Sequence, residues 1–393
     1  MGHHGGYAGV ILEIDLTTQY AARRPLPEDA AAQLLGGKAL AARLLLEQLT
    51  GKETALSEDN PLVLATAPLT GTGAPGSARF DLGSLSPKDD RPAISNCGGR
   101  LGIRLKAAGF DALIIRGRCH SPTWLEISGD QVRFHPADDL WGLGTVACRE
   151  QLAQKLAGQS FASLCIGPAG EHLVHFASVM ADGHSTGRAG LGAALGWKQL
   201  KAITVDGCQK LPLHDEAAAT EANRRWYAQL QQLSSRKAGS DVCTACPLAC
   251  PRHNRGENPI LEDLGMDAIA ARAAAMGRDD PELYRAMALG RLPISGEHPG
   301  NKGEKRRGSL DLPICKAFGA WEDREAFCKN YTEAVCSLGQ CMFTLNALTP
   351  ETGAQPLLRL LDAVTGQELT LRDLLAIGAR SRELQQMLRT RFE

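Results

Sequence analysis

The segment Val10-Ile11-Leu12-Glu13-Ile14-Asp15-Leu16-Thr17-Thr18 sets the fold class of the first half of the chain. Apolar side chains fill it as far as Leu16, interrupted only by two acidic residues, which is typical of a β-strand, and Asp15 to Thr18 predicts the turn that ends it. Similar short apolar runs bounded by turn residues occur at residues 61–66, 112–116 and 162–167. We therefore predict that this half of the chain is rich in β-sheet.

A hairpin and several helices complete the predicted elements. Ser128-Gly129-Asp130 separates two strand-like segments, residues 124–127 and 131–134, which is a hairpin signal. Apolar periodicity and end signals predict helices near residues 27–36, 39–49, 145–156, 213–233, 357–363 and 371–389. The chain therefore changes from mostly sheet to mostly helix after Asp206.

This change predicts an α+β chain with two domains. Residues 1–206 form a sheet-rich N-terminal domain, and residues 207–393 form an all-helical one. A length of 393 residues suits two or three domains of ordinary size. The basic tip Lys305-Arg306-Arg307 lies in a glycine-rich segment that we interpret as a solvated loop.

Charge and composition exclude several classes of partner. The chain has 43 Lys and Arg against 44 Asp and Glu, a formal net charge of −1, so nothing electrostatic favours nucleic acid or an anionic membrane. The longest apolar runs resemble Leu113-Ile114-Ile115 and fall far short of the roughly 20 residues that a membrane helix needs. Because no apolar segment after Met1 could act as a signal peptide, we expect a soluble, cytoplasmic protein.

Three of the twelve cysteines stand close together, as Cys243-x2-Cys246-x3-Cys250. Thiolates at these offsets suit three corners of a [4Fe–4S] cubane, whose fourth ligand then comes from elsewhere in the fold. Zinc is the alternative, although a structural zinc site would favour a second paired C-x2-C knuckle. A chance group of buried thiols is the remaining alternative. For the fourth ligand, spacing leaves four candidates open: Cys315, Cys328, Cys336 and Cys341.

Four segments combine glycine with a cation or a polar donor: residues 36–38, 70–79, 96–100 and 187–192. Glycine allows a backbone to approach a ligand closely, and exposed N–H groups beside an arginine suit phosphate or a polar heterocycle. None of the four matches a Walker P-loop, and no Rossmann fingerprint opens the chain. These loops predict a polar ligand in the sheet-rich half.

The same segments, in the same order, resemble the tungsten-containing aldehyde:ferredoxin oxidoreductase family. The similarity runs over roughly residues 6–205 and identifies the chain as a shortened, divergent member. It is carried by Leu35-Gly36-Gly37-Lys38, by the runs at residues 6–18, 60–72, 74–80, 95–99 and 106–115, and by Arg188-Ala189-Gly190-Leu191-Gly192-Ala193.

The resemblance implies a fold and a cofactor. In this family the N-terminal domain is a sheet-rich base that holds a bis-pyranopterin tungsten or molybdenum cofactor. Carried over by motif, the implied cofactor-binding residues are Arg79, Asn96, Gly98, Arg188, Gly190 and Asp267. Arg79 would lie between the pterin and the iron–sulfur cluster.

The resemblance also implies the cluster ligands. Cys243, Cys246 and Cys250 match the three close cysteines of the family's [4Fe–4S] site, and Cys341, in a segment like D-x-x-G-L-C, matches the distant one. Cys336 stands where this pattern has a pterin-binding Asp, and Gln340 replaces an apolar residue.

The chain departs from the family after Cys250, where it is much shorter and lacks the acidic G-P-E-Y-E-like segment. No general acid or base carries over, so the catalytic residues are unknown. Two hypotheses follow. The chain is an iron–sulfur oxidoreductase acting on an aldehyde or oxo group, with ferredoxin or a partner subunit as electron acceptor and a possible oligomeric state. Alternatively, it is a non-catalytic electron-transfer or scaffold subunit, or a pterin-cofactor carrier.

Overall fold

In the computed structural model the chain forms two mixed β-sheets followed by packed helices. The structure describes residues 5–186, 189–233, 246–247, 263, 265, 324–342, 344 and 354–393. The predicted α+β class, with sheet preceding helix, is confirmed.

The strands of the described part are β1 (Val10–Asp15), β2 (Tyr20–Pro25), β3 (Leu62–Ala65), β4 (Phe80–Leu85), β5 (Pro92–Cys97), β6 (Ala112–Arg116), β7 (Thr123–Ser128), β8 (Gln131–Pro136), β9 (Ala162–Cys165), β10 (Met180–Ala181), β11 (His184–Ser185) and β12 (Leu200–Asp206). The helices are α1 (Glu28–Leu34), α2 (Gly37–Gln48), α3 (Leu101–Ala107), α4 (Thr145–Lys155), α5 (Pro168–Glu171), α6 (Leu191–Trp197), α7 (Glu216–Leu233), α8 (Arg324–Ser337), α9 (Gln355–Thr365) and α10 (Leu371–Thr390).

The first sheet has the order β2-β1-β6-β3-β4-β5. β1 and β6 pair in parallel, and the other neighbours pair antiparallel. Both β3 and β4 are buried along their whole length, so each must fill its two faces with small or apolar side chains. Asp81 in β4 is a carboxylate in that buried environment.

The second sheet has the order β11-β10-β9-β12-β7-β8 and contains the predicted hairpin as β7 and β8. One apolar core contains Ile14 and Leu82 from the first sheet together with Leu125 and Ile203 from the second. The two sheets therefore pack against each other through a shared core.

Six strands and four helices of the described part were not predicted from the pattern: β2, β4, β5, β10, β11, β12, α3, α5, α6 and α8. Residues 80–97 contain β4 and β5, whose polar and glycine residues hide the period of a strand, and Asn96 lies in β5 rather than in a glycine loop. The helix α8 has no end signal that the sequence analysis used, and its apolar positions become clear only where they pack on α2 and α10.

The helices α7 to α10 enclose a second core around Trp226 and Tyr331. That core also includes Leu35, Leu69 and Ala74 from the sheet-rich half. The division into domains at residue 206 stays a prediction. None of the described helices combines the length and apolar character that crossing a bilayer requires.

Candidate functional site

The register of β4 and β5 brings two sequence-predicted residues together. Phe80 pairs with Cys97 and Asp81 with Asn96, so the residue before β4 lies beside the end of β5. Arg79 Nε donates a hydrogen bond of 2.6 Å to Asn96 Oδ1. This bond fixes the amide orientation of Asn96, whose Nδ2 then faces the backbone and side chain of β4.

Asn96 in turn holds Asp81. Its Nδ2 donates to Asp81 Oδ1 at 3.1 Å and to the Phe80 carbonyl at 3.3 Å. Asp81 is 1% exposed, and its Oδ2 has no hydrogen-bond partner among the described residues. Burial raises the pKa of Asp81 to about 7, although Asn96 and the cations Lys38 and Arg79 act in the opposite direction.

The segment after α8 contacts the glycine loop at residues 70–79. Cys341 N donates to the Gly76 carbonyl at 2.9 Å, and Gln340 Nε2 donates to the Pro75 carbonyl at 2.7 Å. Gly76 has φ +74°, and a Cβ added there would lie 2.5 Å from Thr344 Cγ2. The close approach of the two loops therefore requires glycine at position 76.

Cys336 is the residue at which the chain departs from the family pattern. Its backbone lies next to Gly37 at the start of α2. A Cβ added to Gly37 would lie 2.6 Å from the Cys336 carbonyl oxygen and 3.1 Å from Asp81 Oδ2. Burial raises the pKa of the Cys336 thiol to about 12. When no metal is bound, Cys336 is therefore a neutral thiol near neutral pH.

Lys38 and Glu333 form an ion pair at the edge of this group, with Nζ and Oε1 2.7 Å apart. Burial is the largest single influence and lowers the pKa of Lys38, but Glu333, Cys336 and Asp81 together outweigh it, so the pKa is raised. Lys38 is thus a firmly held cation. Glu333 Oε2 also accepts hydrogen bonds from Gln385 Nε2 at 2.8 Å and from Ser381 Oγ at 3.3 Å.

The other predicted site residues have different positions. Gly98 is buried directly after β5. Gly190 precedes α6 with φ +67°, and a Cβ there would lie 2.0 Å from the His175 carbonyl oxygen, so packing alone explains that glycine. Cys246 is half-buried. Four predicted site residues lie outside the described residues: Arg188, Asp267, Cys243 and Cys250.

Two of the four predicted cluster ligands lie outside the described residues. Within the described residues, no group of three or more side chains is placed to hold a metal. The [4Fe–4S] assignment accordingly stays a prediction. Cys328, another candidate for the fourth ligand, is disulfide-bonded and lies buried in the helical core. Of the candidate cysteines that are described, Cys341 is the one bonded to the glycine loop.

Sequence reasoning missed Asp81 and Glu333 as members of the site. The signal for Asp81 is its position between Phe80 and Leu82, because a carboxylate flanked by large apolar residues in a buried strand needs a specific partner. Glu333 precedes Cys336 by three residues, so the two share one face of α8. Because α8 was not among the predicted helices, the shared face of Glu333 and Cys336 could not be inferred from the sequence.

The described residues fit a polar heterocyclic ligand. Asp81 Oδ2 and Gln340 Oε1 are buried oxygens without a partner in the described part of the chain, and a buried polar atom ordinarily has one. Asp81 is hydrogen-bonded to Asn96, and the family resemblance assigns Asn96 to the pterin. Gln340 directly precedes Cys341, which the resemblance assigns to the cluster. A pterin supplies ring nitrogens and oxygens that match such groups.

Residues 11–207 match the family model described as aldehyde ferredoxin oxidoreductase, N-terminal domain. Among curated proteins, the tungsten-containing aldehyde ferredoxin oxidoreductase of Thermococcus kodakarensis is 36% identical over 212 residues, which is 54% of this chain and 35% of that protein. The protein of the same description from Pyrococcus furiosus is 34% identical over the same shares.

A third relative is the aliphatic sulfonate oxidoreductase, WOR-like subunit, of Pyrococcus furiosus. It is 33% identical over 246 residues, covering 58% of this chain and 39% of that protein. The matched part of the chain thus spans little more than a third of these curated relatives.

A solved structure, the active-site complex BamBC of benzoyl coenzyme A reductase with 1,5-dienoyl-CoA, has a similar fold. The TM-score is 0.77 at 17% sequence identity, and the match covers 99% of this chain and 90% of that chain. At this identity the likeness concerns the fold alone.

Proposed function

Because the chain belongs to the aldehyde ferredoxin oxidoreductase family, we propose that it is an iron–sulfur oxidoreductase. It binds a bis-pyranopterin tungsten or molybdenum cofactor and passes electrons through a [4Fe–4S] cluster. The family supports an oxidoreductase of the tungsten type, and the relatives named as tungsten-containing enzymes support the pterin metal.

One observation carries the proposal. The loop at residues 70–79 is hydrogen-bonded to Cys341 through the Gly76 carbonyl and, three residues later, to Asn96 through Arg79. A cluster ligand and the pterin-facing residues are thus joined by a single short loop. Arg79 and Cys341 have the arrangement expected if the pterin and the cluster are neighbours.

Each residue has a definite part in this proposal. When bound, a pterin-held tungsten or molybdenum supplies two-electron oxidation of an aldehyde-like substrate, with oxygen from water. Arg79 and Asn96 orient the pterin, since their mutual hydrogen bond leaves each in one conformation. Cys243, Cys246, Cys250 and Cys341 hold the cluster, through which electrons leave singly.

The acceptor in this proposal is ferredoxin or an electron-transfer partner subunit. We place the protein in the cytoplasm, where buried thiols such as Cys119 and Cys165 persist in the reduced form. A family member in which the substrate cavity has fewer helical walls needs a partner or a second copy to exclude water from a reactive centre.

The small share of each curated relative that the chain matches favours a second candidate function. Because the matched part of the chain corresponds to little more than a third of the curated oxidoreductases, the chain would serve as a non-catalytic electron-transfer or scaffold subunit, or as a carrier of pterin cofactor. The WOR-like relative is itself named a subunit.

Metal content per chain separates these candidates. We expect about four iron and one tungsten or molybdenum per chain in anaerobically purified protein, measured by plasma mass spectrometry. Aldehyde oxidation with a ferredoxin-like acceptor then supports the enzyme, and full metal content without turnover supports the carrier. Four iron with neither tungsten nor molybdenum leaves only the electron-transfer or scaffold function.

Cys341→Ser is expected to remove the cluster, because a serine hydroxyl replaces one of four thiolates. The matched control is Cys336→Ser, which changes a nearby neutral thiol and leaves iron content and the cluster's electron paramagnetic resonance signal intact. The opposite pattern would show that Cys336, not Cys341, is the fourth ligand.

A further inference from the structure

We propose that Asp81 is a proton-holding residue of the candidate site, whose protonated form donates a hydrogen bond from Oδ2 to an acceptor atom of the bound heterocycle. The identity of that heterocycle as a pterin rests on the proposed function. The neutral state of Asp81 itself does not.

The hydrogen bonds of Asp81 indicate which of its two carboxyl oxygens carries the proton. Oδ1 accepts from Asn96 Nδ2 at 3.1 Å, so Oδ1 is the acceptor oxygen. Oδ2 has no partner in the described part of the chain, and the residue is 1% exposed. A buried carboxylate with one unsatisfied oxygen is costly, whereas a protonated Oδ2 is a donor that a ligand acceptor can satisfy.

Glycine at position 37 limits the crowding at Oδ2. Gly37 begins α2, and a Cβ there would lie 3.1 Å from Oδ2. The backbone of Cys336 closes the other side, since its carbonyl oxygen would lie 2.6 Å from the same Cβ. Any side chain at position 37 would therefore press on the oxygen that we assign as the donor.

Charged groups from three sides face Asp81. Lys38 belongs to α2, Arg79 precedes β4, and Glu333 lies on α8 together with the Cys336 thiol. Burial is the largest influence on the pKa of Asp81 and raises it; Lys38 and Arg79 lower it, and Glu333 raises it. The result, about 7, leaves the carboxyl about half protonated at neutral pH and largely protonated below it.

Two clefts give solvent access to this charge network. One has a volume of about 630 Å³ and is lined by Lys38 and Glu333 together with Ser95, Gln385 and Arg389. The second, of about 680 Å³, shares Glu333. The Lys38–Glu333 pair thus lines solvent-filled clefts, and a change in either charge alters how firmly Asp81 holds its proton.

The direct test is a carboxyl titration by nuclear magnetic resonance. Protein with ¹³Cγ-labelled aspartate, holding its native metal content in the oxidised state, is followed from pH 4.5 to 9. The Asp81 resonance is assigned by its absence in Asp81→Asn, with the exposed Asp138→Asn as the matched control. We expect this resonance to titrate near pH 7, far above the usual value near 4.

Two charge variants test the network. Glu333→Gln removes a negative charge and is expected to lower the pKa of Asp81, whereas Lys38→Met removes a positive charge and is expected to raise it. A purely structural role for Asp81 predicts no such opposite shifts. These variants also identify the resonance if Asp81→Asn fails to fold.

The hydrogen bond to the ligand is tested by pterin retention on gel filtration, measured as fluorescence of the oxidised pterin. Asp81→Asn keeps an N–H donor and is expected to retain pterin, whereas Asp81→Val is expected to release it about tenfold faster. Equal retention in both variants would overturn the donor assignment, and an Asp81 resonance titrating near pH 4 would overturn the neutral state. If the wild-type protein holds no pterin, the proposed function fails while the titration still reports on Asp81.

Discussion

At the scale of single residues, the buried charges of this protein behave in two ways. Lys201 and Glu171 form an ion pair with side chains 0% and 2% exposed, and further bonds satisfy both groups. Lys201 Nζ also donates to the Leu143 carbonyl at 2.8 Å, and Glu171 Oε2 accepts from Gly142 N at 2.8 Å. Asp81, by contrast, keeps one oxygen without a partner among the described residues. The first arrangement is structural, and the second is available to a ligand.

Lys201→Met is expected to destabilise the protein by about 3–5 kcal/mol, because it leaves the Glu171 carboxylate buried without its cation. The measurement is the change in the denaturant midpoint of unfolding, followed by circular dichroism. The double variant Lys201→Met/Glu171→Gln is expected to recover part of the loss, since it removes the isolated charge.

The matched control is an exposed pair on α8, Lys329 and Glu325, with side chains 47% and 61% exposed. Lys329→Met is expected to change stability by less than about 1 kcal/mol. Similar effects of the two lysine variants would contradict the role assigned to burial.

At the scale of elements, α8 connects the core to the site. Its Phe327, Tyr331 and Val335 lie in the helical core, while Glu333 and Cys336 face α2 and β4. α8 ends at Ser337, and the chain then continues to Gln340 and Cys341 beside the glycine loop. The position of Cys341 therefore depends on how α8 is packed.

Gly378 of α10 is a point of close contact between α8 and α10. A Cβ added there would lie 1.8 Å from the Asn330 carbonyl oxygen, which is well inside any permitted contact. Gly378→Ala is therefore expected to force the two helices apart and to cost about 1–3 kcal/mol, although the same change in an exposed helix stabilises it.

Two measurements check this prediction. Thermal unfolding reports the stability, and iron content reports whether the Cys341 segment keeps its place. Glu383→Ala, on the exposed side of α10, is the control that leaves both unchanged. Unaltered stability in Gly378→Ala would show that the helices separate at no cost.

At the scale of the whole molecule, the sheet-rich and helical halves share cores. Leu35 and Leu69 belong to the helical core, and Leu388 of α10 belongs to the core between α2 and the first sheet. Each half therefore buries apolar side chains of the other. The predicted domain boundary after Asp206 thus lies between two halves that share apolar cores.

A fragment of residues 5–210 is expected to be unstable alone, because it exposes the apolar surface that the helices cover. The measurement is binding of a hydrophobic dye and resistance to proteolysis, compared with the full chain. A monodisperse fragment with a cooperative unfolding transition would instead support the predicted independent domain.

Local pattern determined much of the sheet-rich half. The strand at residues 10–15, the hairpin at 123–136 and the order of sheet before helix follow from apolar period and turn residues, which act over a few neighbouring positions. The family follows from motifs in the same half, since glycine and arginine at fixed offsets are readable without a structure. The cysteine run was equally visible, and its cluster stays a prediction.

Only tertiary structure decided which residues share the site. Asn96 meets Arg79 and Asp81 because β4 and β5 pair in one register, and Glu333 reaches Lys38 across 295 positions because α8 packs on α2. No local pattern records such contacts. The pKa of Asp81 likewise could not be inferred from local pattern, because it depends on burial and on charges brought from three distant segments of the chain.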